Sequence, residues 1–393
     1  MGGPLDGTRV VEFGGWVVGP STTAILADWG AEVVKIEPPG GDPNRAWVTG
    51  ANPTFELDNR GKRSIMLDLG TGGGRDIVVR LLDRADVFVT NVRQPALASF
   101  GLEYETLAGR FPRLVYAMIT GYGRTGPERD RAAYDSGAFW ARAGVLRAMT
   151  APGAELPISP GGSGDHVTSV TTVAGIAAAL VARERTGRGQ LVSSSLLRAG
   201  IFTVGADVNR ALRLGEAYPV RPRTEARNPL FNSYRCRDGE HLFLLGLQPD
   251  RHWEPVARAL GRPELLEDPR FATSADRAEH ATALIEAMSE AFASADRGES
   301  AAVLDAHGVW WSPVQSPEDL PRDAQAQASG AFFEGPTADG PRAMVSSPVD
   351  FSDTSWRVTR RAPETGEHTE ELLLELGLDW DDITALRDGG ALG

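Results

Sequence analysis

Apolar residues recur through the first part of the chain in short β-branched runs separated by amphipathic stretches. Arg9–Phe13 and Glu32–Ile36 read as buried strands, and residues 64–69, 86–92 and 114–120 continue the series. Residues 21–29, opened by Gly19-Pro20 and closed by Gly30, read as a helix, as do residues 76–85. This alternation predicts a parallel sheet with helices on both faces. Residues 132–149 and 165–185 look helical, with a Pro- and Gly-rich loop between them. The middle of the chain changes character. Residues 228–246 read as two short strands joined at Arg237-Asp238-Gly239, and helical segments follow to about residue 305. The pattern predicts a large α/β domain over 1–220, a smaller α+β domain over 221–330, and a C-terminal segment over 331–393 with an acidic-fronted helix at 367–376.

Composition narrows the function. The 393 residues are 41% hydrophobic and 24% charged, with a formal net charge of −13. A phosphate-rich polymer is repelled by such a chain, so nucleic acid is not an expected partner. Any anionic ligand needs a local cluster of cations. One cysteine, Cys236, excludes an internal disulfide and fits a reducing compartment. The apolar run 173–182 is too short to span a bilayer, and residues 1–6 lack a signal-peptide pattern, so a cytoplasmic location is expected. The histidines are scattered without metal-ligand spacing.

The strongest chemical candidate is Gly161-Gly162-Ser163-Gly164-Asp165-His166, where a loop enters a long helix. Asp165 has two readings. As an N-cap it accepts free N–H groups of the first turn. The same contacts hold a carboxylate ionised and ready to attack a thioester or anhydride. His166 points elsewhere on the helix and is not its direct partner. Arg60, Lys62, Arg63, Arg93 and Arg124 form a basic set near strand ends, where α/β sheets bind ligands. Gly14-Gly15-Trp16-Val17-Val18-Gly19 lacks the dinucleotide spacing, and neither a P-loop nor a G-x-S-x-G elbow occurs.

A set of motifs carries a family likeness. In order they are Leu-Asp-Gly-Thr-Arg-Val-Val-Glu at 5–12, Gly-Ala-Glu-Val-Val-Lys-Ile-Glu at 30–37, Lys-Arg-Ser-Ile-Met-Leu-Asp-Leu at 62–69 and Ala-Asp-Val-Phe-Val-Thr-Asn at 85–91. Gly164-Asp165, Thr-Gly-Arg-Gly-Gln at 186–190 and Gly-Glu-His-Thr-Glu-Glu at 366–371 complete it. Together they resemble the family III CoA-transferases over nearly the whole chain. The resemblance implies a Rossmann-like large domain, a small domain, and two chains interlocked into a homodimer. It implies coenzyme A or acyl-CoA as substrate, a carboxylic acid as acceptor, and no metal or redox cofactor. It also makes Asp165 the nucleophile, working through an aspartyl-CoA thioester under a Gly-rich cover drawn from 161–164 or Gly246.

For coenzyme A the likeness points to Val17, Leu67 and Phe100 along the adenine and pantetheine path, with Asn91. Lys62, Arg63, Arg93 or Arg131 then supply the phosphate grip, because basic residues of the family pattern are replaced here by Pro38, Gly70 and Ser99. The family's racemase branch uses a histidine near Tyr134-Asp135, and this chain has none there. Racemisation and non-catalytic acyl-CoA binding are the alternatives to transfer.

Overall fold

The parallel sheet forms because β-branched runs bury both of their faces. A computed structural model describes residues 2–392. Its strands are β1 (Arg9–Phe13), β2 (Glu32–Glu37), β3 (Lys62–Met66), β4 (Val87–Thr90), β5 (Val115–Thr120) and β6 (Leu191–Ser195). All neighbours are parallel, in the order β3-β2-β1-β4-β5-β6. This is the Rossmann-like order, and it reverses direction between β1 and β4. Helices α1 (Val18–Asp28), α2 (Pro53–Asn59), α3 (Gly72–Asp83), α4 (Gln94–Phe100), α5 (Tyr104–Arg110) and α6 (Val145–Ala148) lie between or beside them. A π-helical segment, Ser136–Arg142, precedes α6. Helices α7 (Ser163–Thr186), α8 (Leu196–Thr203) and α9 (Gly205–Leu214) follow.

Alternate strand residues serve opposite faces. Val10, Val33, Val89 and Ala117 pack with Leu26 of α1 and Ile176 of α7. Val11, Val34, Phe88 and Tyr116 pack with Val78 of α3 and with Leu373 and Ile383 from the C-terminal helices.

Two strands depart from the pattern reading. β6 does not announce itself, because Leu-Val-Ser-Ser-Ser is half polar. Two of its serines find partners on the helices before and after it. Ser194 Oγ lies 2.7 Å from Thr172 Oγ1 of α7, and Ser195 Oγ accepts the Arg198 N–H at 3.2 Å to open α8. β3 begins two residues earlier than expected, at Lys62, because that lysine is buried rather than marking an end. The helix carrying the 173–182 run, α7, is long and apolar enough by length and composition to cross a membrane. One face of it is buried through Thr168, Ser169, Thr172, Val173, Ile176, Ala179 and Arg183.

The chain divides into two compact units. One gathers the chain up to Arg147, Ile158–Ala217 and the chain from Ala328 on; the other comprises Ala148–Pro157 and Tyr218–Gln327. The second unit has its own antiparallel sheet, β7 (Ser233–Arg235), β8 (His241–Leu244) and β9 (Trp311–Val314), over a core that includes Tyr234, Leu242, Ile285 and Met288.

Charge, not only apolar contact, sits under the first strand. Glu12 of β1 has no exposed surface. Its Oε1 accepts from Lys35 Nζ at 2.7 Å and its Oε2 from Lys62 Nζ at 2.8 Å. Lys35 also reaches Asp42 at 2.8 Å. Burial alone would raise the Glu12 carboxyl, and the two ammoniums overcome it, holding it at about 2. Burial pulls Lys62 down to about 8. Glu12→Gln leaves two buried ammoniums around a neutral amide. The expected loss is about 3–5 kcal/mol of unfolding free energy, read from urea denaturation; a loss near zero would show the charges are not coupled.

Candidate active site

The site forms where the sheet order reverses, between the C-terminal ends of β1 and β4. After β1 the chain turns through Gly14-Gly15-Trp16. Asn91, just past β4, accepts the Gly15 N–H at 3.1 Å and donates to the Gly15 carbonyl at 2.8 Å. A Cβ at Gly14 would lie 2.3 Å from Asn91 Oδ1, so a larger residue there would displace the Asn91 side chain from its bonds to Gly15. Trp16 is the one non-glycine with a positive φ, 66°, among the described residues. That conformation carries strain, and the surroundings hold it. Asp42 Oδ1 accepts the Trp16 N–H at 3.0 Å, and Asn44 donates to the Trp16 carbonyl at 3.1 Å.

Beside this turn lies a cavity of about 330 Å³. Its walls include Trp16, Val17, Asn91, Arg93, Tyr134 and Asp165. Arg129 and Arg131 also line it, paired with Asp130 at 3.1 Å and Glu128 at 2.8 Å. Among the described residues, no group of three or more His, Cys, Asp and Glu is placed to hold a metal ion.

Asp165 does not cap α7. The cap position is Gly162, in the left-handed region at φ 72°, and Asp165 lies in the first turn. The free Gly164 N–H goes instead to Asp135 Oδ2 at 3.2 Å. Gly164 is buried, and a Cβ there would lie 2.6 Å from the Phe139 ring, so this glycine packs tightly and is no loose cover. Gly246, the other cover candidate, is tied by its N–H to Leu230 O inside the second unit.

The electrostatics reverse the expectation of a strongly ionised carboxylate. Burial and the neighbouring Asp135 push Asp165 up to about 7, and Asp58 adds to the rise. His166 opposes it. Its Nε2 lies 3.0 Å from Asp58 Oδ1, and this contact raises the imidazole above its ordinary value. His166 is therefore a satisfied residue, as the pattern suggested, with Asp58 as its partner.

Of the residues singled out for coenzyme A, the cavity brings together Val17, Asn91 and Arg93 with Asp165. The others lie elsewhere. Lys62 has no exposed surface, and its ammonium also donates to the Pro20 and Asp58 carbonyls and Asn59 Oδ1, so it has no face for a phosphate. Arg63 is held by Glu32, Glu371 and Glu375. Leu67 is fully buried in the core, and Phe100 packs edge-on against Phe13. Arg60 is committed to Asp28 and Arg124 to Glu105. Trp16, Arg129 and Asp58 escape sequence reasoning, because a tryptophan after two glycines and a single aspartate at a helix end look like ordinary loop and cap residues, whereas Asp135 reads from the sequence as the opening residue of a helix.

A half-buried carboxylate and arginines stand together at the switch point of a Rossmann-like sheet, the place where α/β proteins bind ligands. Comparison with known proteins carries the assignment further. Residues 5–369 match the model of CoA-transferase family III. The chain is 33% identical over 395 residues to (R)-2-hydroxy-4-methylpentanoate CoA-transferase of Clostridioides difficile, covering 98% of each chain. It is 32% identical over 397 residues to cinnamoyl-CoA:phenyllactate CoA-transferase of Clostridium sporogenes, covering 97% of this chain and 95% of that one. The crystal structure of a CAIB/BAIF family protein from Brucella suis superposes with a TM-score of 0.86 at 31% identity, covering 96% of this chain and all of the other. The chain belongs to CoA-transferase family III and is a CoA-transferase.

Titration of Asp165 tests the electrostatics without reference to activity. In carboxyl-carbon NMR of aspartate-labelled protein, its midpoint is expected near pH 7. Asp135→Asn removes a like charge and should move that midpoint down by about one unit. A midpoint at the ordinary aspartate value in the unaltered protein would refute the description.

Proposed function

We propose that this enzyme moves CoA between carboxylic acids through an aspartyl-CoA thioester on Asp165. The observation that carries the reading is Asp165 itself, half-buried in the cavity at the sheet's switch point, in a chain that belongs to CoA-transferase family III. A desolvated carboxylate is more basic and more nucleophilic than a hydrated one, and Asp165 is desolvated.

The steps balance without a net proton transfer. The Asp165 carboxylate attacks the thioester carbon of the donor acyl-CoA and expels CoA thiolate, leaving a mixed anhydride. The thiolate attacks the Asp165 carbonyl and releases the donor acid as carboxylate. An acceptor carboxylate then attacks the aspartyl thioester, expelling thiolate and forming a second anhydride. The thiolate attacks the acceptor carbonyl, giving the new acyl-CoA and restoring Asp165. The first attack needs Asp165 as its carboxylate, so exchange should rise with pH through about 7. The cavity's volume suits the reacting end of the thioester, and exposed Arg93 supplies charge for anionic parts of the substrates.

The enzyme is proposed to act as an interlocked homodimer in the cytoplasm. Apolar side chains left exposed on α7–α9, among them Val181, Phe202 and Leu212, support association. The division of the chain near residues 220 and 330 fits a large domain that the C-terminal segment rejoins.

The test is mass spectrometry of protein incubated with a panel of acyl-CoAs and quenched with hydroxylamine. A hydroxamate at Asp165 is expected with a competent donor. Asp165→Ala should lower exchange by at least about a thousandfold and, because it removes a destabilised carboxylate, should not lower the unfolding midpoint at neutral pH. Absence of any label across the panel, together with deuterium uptake at the acyl α-carbon, would replace transfer with racemisation.

A further inference from the structure

Asp58 is a buried carboxylate with few partners. It lies in the last turn of α2, and 1% of its surface is exposed. Its Oδ1 lies 3.0 Å from His166 Nε2, and its Oδ2 has no hydrogen-bond partner among the described residues. Buried carboxylates ordinarily fill both oxygens. α2 does not need this contact as an anchor. Phe55 and Asn59 are buried on the same helix, and Arg60, just beyond it, grips Asp28 through hydrogen bonds of 3.1 and 2.7 Å. A buried ion pair adds little net stability over an apolar contact, so the pair has its use in where it puts charge.

That charge stands beside the nucleophile. His166 follows Asp165 in the first turn of α7, and its side chain is 39% exposed, so it exchanges its proton with solvent. The hydrogen bond to Asp58 is the foremost influence on the imidazole and holds it above its ordinary value. Burial pushes the Asp58 carboxyl up, and His166 is the foremost group opposing that rise. Lys62 and Arg60 act on Asp58 as well, but Lys62 is committed to Glu12 and Arg60 to Asp28. Helix α1, packed against both α2 and α7, brings only Asp28. Arg93, Arg129 and Arg131 line the cavity without acting on the Asp165 carboxyl, and neither does Arg198 of α8. Of the charged groups that do act on it, Asp135 and Asp58 are negative and His166 alone is positive.

Resting on the transfer mechanism above, we propose that Asp58 is a positioning residue: it holds His166 as an imidazolium next to Asp165, and that cation is the counter-charge that keeps the nucleophile a carboxylate in the presence of Asp135. The gain is in the fraction of enzyme ready for the first attack at neutral pH, not in the rate of the attack itself.

The test uses two variants. His166→Gln keeps a donor to Asp58 near the place of Nε2 and removes the charge. In carboxyl-carbon NMR of aspartate-labelled protein, its Asp165 midpoint is expected about one pH unit above the parent's. Exchange of carbon-13-labelled acetate, propionate or succinate into its own CoA thioester should then fall about fivefold at pH 7 and stay close to the parent's at pH 9, because only the ionised fraction changes. Asp58→Asn has the shape of the parent residue and should lower the midpoint of the His166 imidazole signal. A contact that only ties α2 to α7 would change the unfolding midpoint and neither titration. With circular dichroism showing the parent fold, an unmoved Asp165 midpoint in His166→Gln, or an unmoved His166 midpoint in Asp58→Asn, overturns the inference. Both midpoints shifted as expected, with no exchange of any of the three acids and no label on Asp165, would overturn the transfer mechanism and leave the charge pair standing.

Discussion

The site depends on one carboxylate that has no room to move. Glu12 is locked between Lys35 and Lys62, and each lysine passes the constraint on. Lys35 fixes Asp42, which fixes the Trp16 N–H at the rim of the cavity. Lys62 closes the end of α2 through the Asp58 carbonyl, and the Asp58 side chain meets His166 beside Asp165. Buried ion pairs give little net stability against an apolar replacement, because desolvation consumes the Coulombic gain. What this network supplies is position: the turn carrying Trp16 and the end of α2 that meets His166 both take their places from the same strand residue.

Asp165 shows the cost of that arrangement. Read as a helix cap, it would be an ordinary ionised aspartate. The free N–H of Gly164 is instead taken by Asp135, so Asp165 faces a like charge and partial burial without that hydrogen bond. Its folded-state carboxyl therefore holds a proton more tightly than in the unfolded chain. The stability this gives is present below the unfolded value near 3.8 and is lost as pH rises through about 7. At neutral pH the folded protein carries a destabilised carboxylate, the usual mark of a site where stability gives way to reactivity.

The sheet was largely legible in the sequence, and the site only in part. β1 and β2 are continuous β-branched runs with no competing pattern, so their ends fall where expected or within a residue. β6 was illegible because its serines are satisfied by partners far away in sequence, such as Thr172. Asp165 was legible from its glycines. Its environment was not, since Asp135 and Asp58 lie 30 and 107 residues before it in the chain and meet it only through the fold. Lys62 and Arg63 misled for the opposite reason. A basic residue at a strand end reads as a ligand contact, and nothing local reveals that Glu12 or Glu375 already claims it.

Frame and exposed surface are physically separable. Glu12, Lys35, Lys62 and Asp42 are closed to solvent, and altering any of them exposes an uncompensated charge to the interior. Trp47 and Tyr134 stand in water and support no buried group. The surroundings of Asp165 are thus set by residues that tolerate little change, whereas the exposed surface can change without disturbing them. Side chains presented by loops over a rigid sheet are where one reaction acquires different substrates. Trp16 joins the two parts, since its backbone belongs to the frame and its indole meets Trp47 and Tyr134 edge-on. Its strained φ means the frame determines where that ring stands at the rim of the cavity that Asp165 also lines.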